Sequence, residues 1–214
     1  MAAGQRARMM EETRAKLILA ARSAFAEKGY AAASMDELTA MAGLTRGALY
    51  HNFGGKEGLL RAVIEQLDAE MVAKAKLARD RAGSPWLGFL AEGVAYIELA
   101  LEPEIQRIML LDGPAVLGDP SRWPGQNACL RETTDTLRSL IAAGTVRPVD
   151  AEAAARLING AALNAALWVA AADDPRAVIA KAVDAFRCLA SGLLTIGGDQ
   201  LSKRGEGTQL ISKR

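Results

Sequence analysis

Apolar residues recur every three or four positions along most of the chain, which is the spacing of one face of an α-helix. Gly, Pro, Ser and Asp punctuate this pattern where helices are expected to begin or end. No segment alternates apolar and polar residues in the manner of a strand, so an all-α protein with about nine helices is predicted. The predicted helices cover residues 11–28, 34–42, 45–53, 56–81, 85–101, 103–110, 126–143, 150–172 and 175–195.

The segments between these helices are short, with two exceptions. Residues 112–125 contain three prolines and three glycines and are predicted to form a loop. Residues 197–214 are polar and contain glycine, and they are predicted to be a disordered tail. The three short N-terminal helices thus precede a long helix and a larger helical body.

The second and third predicted helices form a helix-turn-helix pattern over residues 35–56. Ser34 and Thr45 are good N-cap residues, and Gly43 suits the turn between the helices. The third helix turns Leu49 inward, and no acidic residue occurs from Leu44 to Lys56. An exposed helix of this composition is typical of a recognition helix in a DNA major groove, although an ordinary helical hairpin is the alternative.

The stretch LTRGALYHNFGGKEGLL resembles the N-terminal signature of the tetracycline-repressor (TetR) family. The match includes Gly43, Gly47, Tyr50, Phe53 and Lys56, and it covers roughly the first quarter of the chain. Thr39 and Asn52 depart from the family pattern, where a small residue and a histidine or aromatic residue are common. The resemblance implies a DNA-binding head over residues 1–54 and a ligand-binding and dimerisation body over residues 55–196.

Two criteria, exposure on the predicted helices and the family resemblance, together identify the residues that are predicted to contact DNA. Arg46 can read guanine through its planar fork or pair with a phosphate instead. Gly47 is unfavourable inside a helix, which suggests that a side chain there would collide with the DNA backbone. Residues 1–10 contain Arg6 and Arg8, as either a frayed terminus or an arm along DNA. The predicted DNA-binding residues are Ser34, Thr45, Arg46, Gly47, Tyr50, His51 and Lys56.

The resemblance also implies a homodimer and an inducer, both placed in the body. In the family, the last two helices pair with those of a second copy, and the aromatic middle helices surround a small molecule. The predicted dimer residues are Ala154, Leu157, Ile158, Ala161, Ala165, Val178, Ala182 and Phe186. The predicted ligand-binding residues are Trp86, Phe89, Tyr96, Met109, Trp123, Asn164 and Trp168, although core packing would also explain the aromatic ones.

Composition narrows the function classes. The net charge of +1 divides into +2 for residues 1–60, −4 for residues 61–200 and +3 for residues 201–214, which suits contact with phosphate at one end. No uninterrupted apolar run reaches the roughly 18 residues of a membrane span, and the charged N-terminus is not a secretory signal. A cytoplasmic protein without a membrane partner is expected.

Enzyme chemistry is not indicated. His51 is the single histidine, so no two-histidine metal site or Ser-His-Asp set is expected, and no cofactor is implied. The sequence therefore predicts a homodimeric repressor that a small, largely hydrophobic ligand releases from double-stranded operator DNA. The alternative is a DNA-binding regulator without an inducer, or one triggered by oxidation of Cys129.

Overall fold

The computed structural model describes residues 2–195, with side chains from Gly4 onward, so the predicted tail over residues 197–214 lies outside the described residues. Within this range the protein is all-α, as predicted, and extended backbone pairs in one isolated bridge between Val146 and Leu194. The α-helices are α1 (Ala2–Ala32), α2 (Met35–Met41), α3 (Arg46–Phe53), α4 (Lys56–Asp80), α5 (Pro85–Glu98), α6 (Gly113–Leu117), α7 (Pro124–Ala142), α8 (Ala151–Ala171) and α9 (Pro175–Ser191). A π-helix spans Ile105–Asp112, and 3-10 turns span Leu99–Leu101 and Pro120–Arg122.

The chain divides into two compact units. The first unit holds Met1–Glu70 and Glu102–Pro120, and the second holds Met71–Leu101 and the described residues from Ser121 onward. The first unit thus includes more than the predicted head, since the start of α4 and the segment around the π-helix belong to it. The boundary between residues 54 and 55 stays a prediction.

The first helix is longer than its apolar stripe predicted. Its buried face begins at Leu17 and continues through Ala21 and Phe25, whereas residues 4–12 are exposed. The start at residue 11 was wrong because the pattern marks only the buried part of a helix. Residues such as Ala, Arg and Met favour helix without any burial. Gly29 interrupts the helix with φ 80°, close to the predicted end.

The segment over residues 112–125, predicted to be a loop, is largely helical. Pro114 lies in the first turn of α6, and Pro124 is the first residue of α7. Proline is compatible with the first turn because the N–H it lacks would have no partner inside the helix. The prolines therefore mark helix starts in this segment.

Two polar contacts hold the π-helix segment within the first unit, and a third joins α1 to α4. Arg22 of α1 pairs with Glu70 of α4 and with Glu104, which precedes the π-helix. The backbone N–H of Tyr30 donates to the Asp112 carboxylate at 2.7 Å. The contacts of Glu104 and Asp112 tie the π-helix segment to α1.

The bend of α1 favours glycine at position 29 because of its backbone conformation, and the Arg107 side chain would have to move to admit a larger residue. The positive φ of Gly29 is a conformation that side-chain-bearing residues rarely adopt. In addition, a Cβ there would lie 2.0 Å from Nη2 of Arg107 in the π-helix.

The second unit packs α5, α7, α8 and α9 together. Gly93 of α5 allows close approach of α9, since a Cβ there would lie 2.5 Å from the Phe186 ring. One described helix, α8, is long and apolar enough to cross a membrane by length and composition. A core helix of a soluble protein passes the same test, and 44% of the apolar window of α8 is buried inside the unit. The window is apolar on average, with Asn159 and Asn164 interrupting it.

Candidate nucleic-acid interface

Both helices of the helix-turn-helix have an N-cap side chain that bonds to the backbone of the first turn, as predicted. The Ser34 hydroxyl accepts from the Glu37 backbone N–H at 3.1 Å, and the Thr45 hydroxyl accepts from the Ala48 N–H at 3.2 Å. Gly43 takes a positive φ of 65° in the turn between them. Gly54, with φ 71°, ends α3 in the left-handed conformation. The recognition helix is therefore fixed at both ends by short-range interactions.

The outer face of α3 is exposed where the pattern predicted exposure. Leu49 is fully buried and anchors the helix. The exposed residues of this face are Thr45, Arg46, Gly47, Tyr50 and His51. On the preceding helix α2, Met41 is 50% exposed and only Leu38 and Thr39 are buried.

Arg46 has an acidic partner that the sequence pattern missed. Its Nε and Nη2 donate to the two carboxylate oxygens of Asp36, near the start of α2. The hydrogen bonds from Arg46 lower the pKa of the Asp36 carboxyl. Asp36 lies on α2, before the stretch without acidic residues that begins at Leu44. The pair with Arg46 therefore depends on the angle at which α2 and α3 cross.

Lys56, the first residue of α4, lies against the end of α1. Its Nζ sits 4.3 Å from the centre of the Tyr30 ring and 3.4 Å from the Ala31 carbonyl oxygen. Partial burial lowers the pKa of the Lys56 ammonium. Lys56 therefore joins α1 to α4 at the helix N-terminus, where a phosphate would be favoured.

The two departures from the family pattern have structural explanations. Thr39 is buried, and its hydroxyl donates to the Met35 carbonyl oxygen at 2.9 Å. The Asn52 side chain donates to the Ala48 carbonyl oxygen at 2.8 Å within α3. The Thr39 hydroxyl is thus bonded inside the head, whereas Oδ1 of Asn52 is buried without a hydrogen-bond partner among the described residues.

Arg14 connects the N-terminal helix to the end of the recognition helix. Its guanidinium donates to the Asn52 carbonyl oxygen at 2.8 Å and lies 4.5 Å from the centre of the Phe53 ring. Arg6 and Arg8 are exposed nearer the N-terminus of α1. The Arg8 Nε lies 3.6 Å from Oε1 of Glu12. The predicted arm is therefore helical in the structure.

The predicted ligand-binding residues separate into groups. Trp86 and Phe89 of α5 are buried, with ring centres 5.6 Å apart, and Tyr96 is half-buried. The indole N–H groups of Trp86 and Trp123 are buried without a hydrogen-bond partner within the described chain.

The other three predicted ligand-binding residues lie in the π-helix and in α8. Met109 is buried in the first unit. Asn164 and Trp168 lie on the exposed face of α8, and their role in a cavity stays a prediction. Helical spacing placed them on an apolar helix without showing which face is internal.

The predicted dimer residues are likewise divided between the core and the surface. Ala154, Ile158, Ala182 and Phe186 are buried inside the second unit, where they pack within their own chain. Their assignment to a dimer interface stays a prediction. Ala161, Ala165 and Val178 are half-buried. Leu157 is 76% exposed, Trp168 48% and Leu189 64%, which leaves an apolar surface on α8 and α9.

Within residues 2–195, the cysteines and acidic side chains form no metal site. Cys129 is half-buried, with its Sγ 3.6 Å from the Asn159 side-chain nitrogen, and Cys188 is exposed on α9. Among the described residues, no group of three or more His, Cys, Asp or Glu could hold a metal ion.

The chain matches two family models. Residues 17–63 match bacterial regulatory proteins of the tetR family, and residues 86–193 match the tetracyclin repressor-like C-terminal domain. Together the two models cover both the helix-turn-helix and most of the second unit.

Individual proteins show the same relationship. A solved TetR-family transcriptional regulator from Pectobacterium atrosepticum is 49% identical, with a TM-score of 0.82 and coverage of 88% of this chain and 97% of that chain. The HTH-type transcriptional regulator UidR of Escherichia coli K12 is 29% identical over 132 residues, 62% of this chain and 64% of UidR. TtgR of Pseudomonas putida is 32% identical over 102 residues, 46% of this chain and 48% of TtgR. The chain thus spans less than two thirds of the length of these two curated relatives.

Proposed function

We propose that this chain, which belongs to the tetR family of bacterial regulatory proteins, is a homodimeric repressor that a small, largely hydrophobic ligand releases from its operator. Proteins of this family are DNA-binding transcriptional regulators and are not enzymes. The observation that carries the proposal is the exposed outer face of α3. It presents a guanidinium, a phenol, an imidazole and a hydroxyl on a helix capped at both ends.

Operator binding is tested by selection from a pool of randomised duplexes with the purified chain. Two recognition helices bind two half-sites about 34–36 Å apart along the DNA, so the selected sequence should contain an inverted repeat with that spacing. Recovery of no preferred sequence at low salt would contradict the proposal. A single half-site without a repeat would contradict its dimeric part.

The apolar surface on α8 and α9 supports the homodimer. Leu157 and Leu189 expose large hydrophobic side chains, and contiguous exposed apolar surface commonly marks a protein interface. Leu157→Glu would place two like charges in the desolvated interface, so sedimentation should show a monomer. Leu77→Glu is the matched control, because Leu77 is also 54% exposed but lies on α4. A parent chain that sediments as a monomer at the concentrations that bind DNA would contradict this step.

The buried aromatic residues of the second unit support the ligand. Trp86 and Trp123 each bury an indole N–H without a hydrogen-bond partner among the described residues, and a buried donor without a partner is costly. A hydrophobic ligand with a hydrogen-bond acceptor would satisfy such a donor. The ligand class is therefore apolar and aromatic or aliphatic in body, with at least one carbonyl, ether or hydroxyl oxygen.

A compound panel tests the ligand through tryptophan fluorescence and operator release. Benzophenone and diphenylmethane are a useful pair, because they differ chiefly in the carbonyl acceptor. A compound that acts as inducer must bind more weakly in the presence of operator DNA, since coupling between two sites is reciprocal. A panel of acceptor-bearing compounds that changes neither fluorescence nor operator affinity would leave the chain a regulator without an inducer.

A further inference from the structure

The contact between Arg46 and Asp36 has a geometry suited to base recognition. Arg46 is the first residue of α3, and Asp36 lies in the first turn of α2. The guanidinium Nε and Nη2 donate in parallel to the two oxygens of one carboxylate. Both side chains are more than half exposed, so the pair lies on the surface of the helix-turn-helix.

The carboxylate occupies only one edge of the guanidinium. An arginine carries five N–H donors in a planar fork, and the pair with Asp36 uses one donor on Nε and one on Nη2. The edge formed by Nη1 and the second donor of Nη2 remains available. That edge has the two parallel donors that match O6 and N7 of guanine in the major groove.

Asp36 also affects the free energy of DNA binding in two ways that do not involve a direct contact with a base. A free arginine side chain loses rotamer freedom when it docks, whereas a planar fork already held by a carboxylate loses less. The negative charge of Asp36 also opposes close contact with phosphates, which weakens binding to any duplex. Both effects favour discrimination between sequences, and neither favours tighter binding to all DNA.

We propose that Asp36 is a positioning residue that holds Arg46 in the orientation in which its free edge reads one guanine of each half-site. The inference rests on the proposed operator binding. The competing interpretation is that Arg46 contacts a phosphate and that Asp36 merely neutralises it. The two interpretations differ in sequence discrimination, which a purely structural role of Asp36 would leave unchanged.

The experiment replaces each guanine of the selected half-site in turn by 7-deazaguanine, which lacks the N7 acceptor but still pairs with cytosine. Affinities of the full chain for each duplex are measured by fluorescence anisotropy. The parent should lose about ten-fold affinity at one guanine, as expected for a bidentate arginine contact. Arg46→Ala should show no loss at that guanine. Asp36→Asn should reduce the loss to about three-fold or less while binding to unrelated DNA stays equal or strengthens.

Asp135→Asn is the matched control. Asp135 forms an exposed pair with Arg138 on α7, at 2.7 Å, so the substitution removes the same charge from a similar ion pair outside the helix-turn-helix. It should leave the guanine discrimination at the parent value. Thermal unfolding of each variant shows that the helices are intact.

Each outcome separates the interpretations. If Asp36→Asn strengthens binding to every duplex by the same factor, Asp36 only masks a phosphate contact and the inference is overturned. An unchanged discrimination in Asp36→Asn, or a parent insensitive to every 7-deazaguanine, overturns it equally. If the parent selects no DNA sequence at all, the proposed function fails first.

Discussion

Replacing Gly47 by alanine should change stability and DNA affinity in opposite directions. Gly47 is the second residue of α3 and is exposed, and a Cβ there would meet only the Thr45 hydroxyl at 3.7 Å, an ordinary contact. Alanine in place of glycine stabilises the middle of a helix by roughly 0.5–1 kcal/mol. Because Gly47 lies in the first turn of α3, the free energy of unfolding should rise by at most about that amount.

Operator binding should weaken in the same variant. If the outer face of α3 enters the major groove, the backbone at Gly47 approaches the DNA, and an added methyl group must displace it. Overpacking of a close contact costs about 1–3 kcal/mol. Since about 1.4 kcal/mol corresponds to ten-fold in affinity, the dissociation constant should rise by roughly five-fold to more than one hundred-fold.

Both quantities are measured on the same protein, by urea unfolding and by anisotropy titration of the selected operator. Gly93→Ala provides the opposite stability sign, because its Cβ would lie 2.5 Å from the Phe186 ring in the second unit. A Gly47→Ala protein that is more stable but binds operator as tightly as the parent would show that position 47 does not face DNA. A less stable Gly47→Ala protein would refute the conformational argument instead.

Three further predictions concern the first unit. Lys56→Ala should weaken binding to every duplex and reduce the salt dependence of affinity by about one phosphate contact. An unchanged slope of log affinity against log salt concentration would exclude Lys56 from the interface. Gly58→Ala should destabilise the junction of α3 and α4 by roughly 1–3 kcal/mol in urea unfolding, because its Cβ would lie 1.9 Å from the Phe53 carbonyl oxygen; unchanged unfolding would contradict that contact. Burial raises the pKa of the Asp68 carboxyl above its ordinary 3.8. The folded state therefore binds this proton more tightly than the unfolded state does. The free energy of unfolding should fall as pH rises from the ordinary pKa to the higher pKa of the folded state. Asp68→Asn should therefore melt higher than the parent at pH 7, with a difference that shrinks towards pH 3; the same difference at both pH values would argue against the burial effect.

The capped helix-turn-helix was predictable because its signals are local. Ser34 and Thr45 each bond a backbone N–H three residues ahead, so residue type and spacing alone indicate the caps. Gly43 and Gly54 likewise mark the turn and the end of α3 by their own backbone requirements. The alternation of buried and exposed positions along α3 follows from the same helical period.

The Arg46–Asp36 pair was not predictable in the same way. The two residues lie on different helices, ten positions apart, and meet only at the angle at which α2 and α3 cross. The contact of Lys56 with the Tyr30 ring depends similarly on how α1 ends. Side-chain partners between helices require the tertiary structure, whereas caps do not.

The α8 helix shows why periodicity alone could not assign the ligand and dimer residues. Leu157, Asn164 and Trp168 fall on one face, since they are spaced by seven and four positions, and all three are exposed. Ile158 and Ala154 fall on the buried face. When a helix carries apolar residues on two faces, one of those faces packs inside its own unit. The sequence does not show which face this is.

Trp168 should therefore report on subunit association, and Trp86 on the ligand. Trp168 is 48% exposed on the same face of α8 as Leu157, so its fluorescence should change on dilution through the dimer dissociation range. Trp86 is buried next to Phe89, so its fluorescence should change when a ligand binds in the second unit. In Trp168→Phe the change on dilution should disappear while the change with ligand remains, and the reverse should hold when Trp86 and Trp123 are both replaced by Phe. A ligand response that disappears with Trp168 instead would place the small molecule at the surface of α8, and the argument from the buried indole would be refuted.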